Sequence, residues 1–222
     1  GAAVLPDGIV VFTPSFASAI LLFKPSNKTW EEVGHFEGDA NWEGAAVLPD
    51  GRVVFTPYDA SAILLFNPSD KTWEEVGHFE GEEKWSGAAV LPDGRVVFTP
   101  HNASAILLFN ASDKTWEEVG HFEGDEKWSG AAVLPDGRVV FAPHDASAIL
   151  LFNPSDKTWE EVGHFEGDEK WSGAAVLPDG RVVFTPHNVS AILLFNPSDK
   201  TWEEVGHFEG DEKWSGAAVL PD

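Results

Sequence analysis

His101, His144 and His187 recur at intervals of 43 residues, and each stands beside an amide or a carboxylate, Asn102, Asp145 and Asn188. An imidazole next to an acid can move a proton or hold a cation, because its charge changes near neutral pH. Metal is not expected here. Equal spacing in separate repeats should spread the rings around a rim, whereas an ion needs its ligands about 2.0–2.1 Å away. The bland expectation is a set of polar turn residues, with Asn or Asp shaping Asx-type turns. A second histidine series, His35, His78, His121, His164 and His207, follows a glycine near a strand end. These are expected to be half-exposed strand residues. The acidic linker Glu123–Lys127 could attract calcium, but it lacks the spaced acids of a calcium loop and reads as a solvated loop.

Two tryptophan series accompany the histidines. Trp42, Trp85, Trp128, Trp171 and Trp214 precede the motif Gly-Ala-Ala-Val, and Trp30, Trp73, Trp116, Trp159 and Trp202 precede Glu-Glu-Val. An indole offers a flat apolar face and one donor, so the first series could be a platform for a sugar or peptide. Core packing is the favoured expectation for it. The candidate ligand-binding set is therefore these five tryptophans with His101, Asn102, His144, Asp145, His187 and Asn188. No residue stands out as catalytic, and no metal or cofactor is called for.

The elements that must position these residues follow from the repeat. The string GAAVLPDG begins at Gly1, Gly44, Gly87, Gly130 and Gly173, and GAAVLPD returns at Gly216. A period of 43 means stacked or ring-arranged supersecondary units. In the third unit, Gly87–Leu91, Arg95–Thr99, Ser104–Phe109 and Thr115–Phe122 read as strands, separated by Pro-Asp-Gly, Pro-His-Asn and Asn-to-Lys turns. The run Ala105–Leu108 is continuously apolar, as in a strand buried on both faces. Small Gly-Ala-Ala side chains suit a crowded innermost strand, and the Trp-Glu-Glu strand suits an exposed outer edge. The expected fold is an all-β β-propeller of five four-stranded blades, sealed by a terminal strand. It would be one domain over 1–222, with repeats 1–43, 44–86, 87–129, 130–172 and 173–215 and an extra strand at 216–222. A β-solenoid is disfavoured, because four unlike strands per cycle have no place in its shorter coils.

Composition bounds the partners. The 222 residues carry 14 Lys plus Arg against 37 Asp plus Glu, a formal charge of −23, with no Cys or Met. No basic stripe is available for nucleic acid. No apolar run is long enough for a helical membrane span. Without cysteine there is no disulfide or thiolate chemistry. The start at Gly1 suggests a processed, cut or engineered chain, and the compartment stays open between secreted and cytoplasmic.

Asn67–Val76, NPSDKTWEEV, returns at Asn153 and Asn196 and leads into a Ser-Gly-Ala-Ala-Val strand. This resembles the kelch repeat, whose similar Asp-Pro-x-x-x-x-Trp turn precedes an outer strand. The resemblance implies propeller blades, with Trp30, Trp73, Trp116, Trp159 and Trp202 packing blade to blade. The kelch di-glycine is replaced by Thr99-Pro100 and its equivalents.

Differences between repeats gather at the second turn (Ser15, Phe16, Tyr58, Asp59, Ala142, Asp145, Val189) and at the blade-to-blade linker (Ala40, Asn41, Glu43, Glu82). Both belong to one rim, which is the better candidate for binding. Nearly every side chain is copied in all units, and catalysis requires unlike groups at one spot. The sequence expectation is thus a non-enzymatic, symmetric binding or scaffold module, possibly multivalent. The alternatives are a recently amplified or engineered propeller without an evolved ligand, and a lectin-like carbohydrate binder. A protein or glycan is the expected kind of partner, and a monomer is expected, with strand exchange between chains as the alternative.

Overall fold

Local turn chemistry sets the hairpins. In Leu91-Pro92-Asp93-Gly94 the Gly94 N–H donates to the Leu91 carbonyl at 2.9 Å, and Gly94 has φ +86°. Proline presets the first turn position and glycine accepts the left-handed one. Asp93 then accepts from the Arg95 N–H at 3.0 Å, which pins the start of the next strand. The third turn repeats the device: Asp113 accepts from both the N–H and the hydroxyl of Thr115.

The computed structural model describes residues 1–38 and 41–220; Asp39, Ala40, Pro221 and Asp222 lie outside. Blade 1 is β1 (Ala2–Val4), β2 (Val10–Phe12), β3 (Ile20–Lys24) and β4 (Thr29–Val33). Blade 2 is β5 (Trp42–Val47), β6 (Val53–Pro57), β7 (Ile63–Asn67) and β8 (Thr72–Val76). Blade 3 is β9 (Trp85–Val90), β10 (Val96–Pro100), β11 (Ile106–Asn110) and β12 (Thr115–Val119). Blade 4 is β13 (Trp128–Val133), β14 (Val139–Pro143), β15 (Ile149–Asn153) and β16 (Thr158–Val162). Blade 5 is β17 (Trp171–Val176), β18 (Val182–Pro186), β19 (Ile192–Asn196) and β20 (Thr201–Val205). Each is a four-stranded sheet in sequence order, with antiparallel pairing. Five such repeated meanders make the chain a repeat β-propeller.

The strands differ from expectation at both ends of the unit. The innermost strand begins at the tryptophan, with Trp128 opposite Pro143 and a bulge before Ala131. Gly130 lies in that bulge at φ +80°, and a Cβ there would lie 2.9 Å from the Gly173 backbone. Only glycine fits both the conformation and the approach. The outermost strand stops at Val119 rather than Phe122, because Gly120 turns left-handed at φ +88°. Among the described residues, Gly216–Leu220 joins no sheet. The expected slot beside β2 is held by β1, through Ala2–Phe12, Ala3–Val11 and Val4–Val10.

The chain divides into two compact units, 1–98 with 106–118, and 99–105 with 119–222. In each, the core lies between facing blades. Val11, Ile20, Phe36, Trp42, Phe55 and Phe66 form it in the first unit, and Val140, Ile149, Phe165, Trp171, Phe184 and Phe195 in the second. The second-series tryptophans do bridge blades. Trp73 meets Phe36 edge-on at 5.8 Å and Trp159 meets Phe122 at 5.6 Å, although one face of each stays open to solvent.

Candidate functional site

Trp42, Trp128 and Trp171 are buried, and each indole N–H donates 2.9–3.0 Å to an alanine carbonyl, of Ala62, Ala148 and Ala191. Trp85 is buried too. These four indoles are enclosed in the core, the placement that core packing would give them. Only Trp214 of the series is exposed. The lectin-like alternative loses its repeated platform with them.

The histidines behave in the opposite way. In the second unit a backbone ladder threads the second turns and the linkers. Lys127 N–H donates to His101 C=O, His144 N–H to Lys127 C=O, Lys170 N–H to His144 C=O, and His187 N–H to Lys170 C=O, all at 2.9–3.1 Å. This ladder draws successive turns together instead of spreading them. The rings of His101 and His144 lie 5.7 Å apart, as do those of His144 and His187. The expectation that separate blades keep these groups apart does not hold.

Asn102, Asp145 and Asn188 do not close their own turns. Their Oδ1 atoms accept the backbone N–H of Glu126, Glu169 and Glu212, 24 residues on, at 2.6–2.7 Å. Those glutamates sit at φ near +47°, a conformation a non-glycine residue keeps only when its surroundings hold it there. The strained linker therefore presents its glutamate to the histidine of the next turn. Glu126 Oε2 lies 3.8 Å from His144 Nδ1, and Glu169 Oε2 lies 3.7 Å from His187 Nδ1.

The fourth repeat is the one that joins histidine to aspartate; the others carry Ser15-Phe16, Tyr58-Asp59, His101-Asn102 and His187-Asn188. Asp145 Oδ1 lies 3.4 Å from His144 Nδ1. His144 is 8% exposed, and its buried Nδ1 has no hydrogen-bond partner. Glu126, His144 and Asp145 place one ring nitrogen and two carboxylates within 4.8 Å of one another. That donor set suits a divalent ion as well as a proton. In the fifth repeat Asn188 donates to Glu169 at 2.7 Å and no second carboxylate is offered.

Burial sets the charge state. It lowers His101 to about 4 from its ordinary 6.5, against an opposing hydrogen bond to the Trp128 carbonyl. It also lowers His144, with Asp145 opposing and His187 adding to the fall. The buried Lys127 is lowered to about 8 by the same desolvation and donates to the Gly124 carbonyl at 2.5 Å. Sequence reasoning treated Glu126 and Lys127 as parts of a solvated loop. The one sequence signal for their role was position: the linker shares its rim with the second turn.

No protein-family model and no curated protein matches the chain, so the kelch resemblance has no support there. Among solved structures, it is similar to virginiamycin B lyase from Staphylococcus aureus at 19% identity, covering 93% of this chain and 69% of that one with a TM-score of 0.82. A streptogramin B lyase gives 16%, 97%, 70% and 0.84. A catalytically inactive His-to-Ala variant of the S. aureus lyase with quinupristin gives 18%, 92%, 68% and 0.82. At this identity the likeness is one of fold. The expectation of a non-enzymatic module is corrected to this extent: solved structures of this fold include lyases, so the fold gives no ground for excluding an enzyme. The second turn is where the repeats differ, and there two carboxylates converge on His144.

Proposed function

We propose that the chain is an enzyme-type propeller whose chemistry is proton transfer by His144, of the elimination kind for which the lyases of similar fold are named. One observation carries the reading: a buried imidazole nitrogen without a hydrogen-bond partner, flanked by Asp145 and Glu126. Desolvation keeps the ring neutral and able to accept a proton. The two carboxylates then stabilise the imidazolium as it forms, in the way a paired acid supports a catalytic histidine. The net charge of −23 repels anions, so a neutral or cationic substrate fits best, and quinupristin is the first probe to try alongside simple cyclic esters.

The test is turnover of that panel by the wild-type chain and by His144→Ala, with and without a divalent cation. General-base loss is expected to cost about 10²–10⁴-fold in rate. Because His144 is lowered, the activity should hold steady on falling through pH 6.5 and drop only below it. A chain inert towards the whole panel, or equally active as His144→Ala, would remove the proposal.

A further inference from the structure

Two histidines of the second unit have the same surroundings save for one side chain. Glu126 Oε2 stands 3.8 Å from His144 Nδ1, and Glu169 Oε2 stands 3.7 Å from His187 Nδ1. Both ring nitrogens are buried and have no hydrogen-bond partner. The residue that follows is Asp145 in one case and Asn188 in the other. Asp145 brings a second carboxylate, with Oδ1 at 3.4 Å from His144 Nδ1. Asn188 instead donates its amide to Glu169 Oε2 at 2.7 Å and occupies that carboxylate itself.

The three groups around His144 are held in place by main chain. Asp145 Oδ1 accepts the Glu169 N–H at 2.6 Å. Glu126 is fixed at both ends: its N–H donates to Asn102 at 2.7 Å, and its carbonyl accepts the Asp145 N–H at 2.9 Å. Lys170 is near enough for Asp145 to favour its charge, but its ammonium donates to the Gly167 carbonyl. Two carboxylates thus face a lone pair that neither water nor a protein donor satisfies, an arrangement that calls for a cation.

The spacing selects the kind of cation. A tetrahedral ion with ligands at about 2.0–2.1 Å keeps neighbouring donor atoms about 3.3–3.4 Å apart. Asp145 Oδ1 and His144 Nδ1 stand at 3.4 Å, and the partly exposed Glu126 side chain can close the remainder by a small rotation. Calcium takes six to eight oxygens and magnesium keeps a shell of water and oxygen. One imidazole nitrogen with two carboxylate oxygens suits zinc and its neighbours better. Both carboxylates reach solvent, which gives an ion its path to the buried nitrogen.

We propose that Glu126, His144 and Asp145 bind one zinc-type divalent cation, through His144 Nδ1 and one oxygen of each carboxylate, with water in the fourth position. The ion and a proton use the same lone pair. A loaded chain therefore has no free base at His144, and the ion acts as an inhibitor of the proton transfer proposed above. That consequence rests on the earlier reading of the site; the binding itself does not.

Calorimetric titration of the whole metal-free chain with zinc chloride tests the binding. The wild type should take up one ion tightly. Asp145→Asn keeps the acceptor for the Glu169 N–H and installs the side chain of repeats 3 and 5. It should weaken uptake by at least about tenfold, a loss that even an outer partner of a metal ligand can cause, while circular dichroism stays unchanged. His144→Ala should abolish tight uptake. The converse change, Asn188→Asp, should add a second tight ion at Glu169 and His187. A wild type without tight uptake, uptake indifferent to Asp145→Asn, or an Asn188→Asp chain that gains no ion overturns the proposal. Turnover of the ester panel separates the two readings. A chain that turns over substrate without taking up zinc removes this inference alone, and a chain that takes up zinc but is inert removes the earlier one alone.

Discussion

Blade 1 and blade 4 have nearly the same sequence and different interiors. Phe12 and Phe141 occupy one position of the repeat, yet Phe12 is 37% exposed and Phe141 is fully buried. The sheet around each is paired alike, with Phe12 opposite Leu21 and Phe141 opposite Leu150. What differs is the innermost strand, three residues long in β1 and six in β13. A blade cannot bury its own apolar faces; its neighbours do so, and this is why repeat proteins gain stability from interfaces between units. The same contrast marks the tryptophans: Trp171 is enclosed and hydrogen-bonded, and Trp214, with an identical local sequence, is exposed.

The largest expected break in this comparison comes from truncating the phenylalanine. Phe141→Ala should cost about 3–5 kcal/mol, as a large buried ring leaves a cavity, and Phe12→Ala should cost clearly less. Hydrogen exchange of the β14 and β2 amides reads the two separately, and equal losses would show that the innermost strand contributes nothing. A smaller effect is expected from Trp171→Phe. It strands the buried Ala191 carbonyl and should destabilise blade 5 by about 1–3 kcal/mol, measured by denaturant titration. Trp214→Phe in dilute solution should leave the same titration unchanged.

The smallest effect sharpens a contrast between the units. The second unit holds the lowered histidines, and the first has Ser15 and Tyr58 at the matching positions. As pH falls below 6.5 the unfolded chain takes up a proton that folded His101 refuses until about 4. Stability of the second unit should therefore decline across that window, level off below it, and be independent of this group above pH 6.5. His101→Tyr, which installs the residue of the second repeat, should flatten part of the decline in acid melts. An unchanged pH profile would mean that burial of the ring does not govern its protonation.

Much of the blade was legible in the chain. Alternation and turn residues located all four strands to within about two residues at most ends, because hairpins are local and their periodicity is written in consecutive side chains. Gly-Ala-Ala was readable as the crowded strand for the same reason. The outer strand was overextended at Phe122, since an apolar residue after Gly120 looks like a strand residue until the glycine's left-handed turn is known. The site was legible only as a list. His144 and Asp145 were visible as neighbours, but Glu126 comes to them through a hydrogen-bonded ladder between blades, and no pattern within 43 residues reveals that approach.

By itself the sequence determined the number of units, the order of strands within each, the turns between them, and a strongly acidic composition. These are matters of neighbouring residues and of composition. Tertiary structure alone decided which copies of an identical residue are buried, which three histidines stand in file, and which carboxylate faces which ring. A repeated sequence gives every copy the same local preferences. Burial and juxtaposition depend on what lies across the seam, and that changes from one blade to the next.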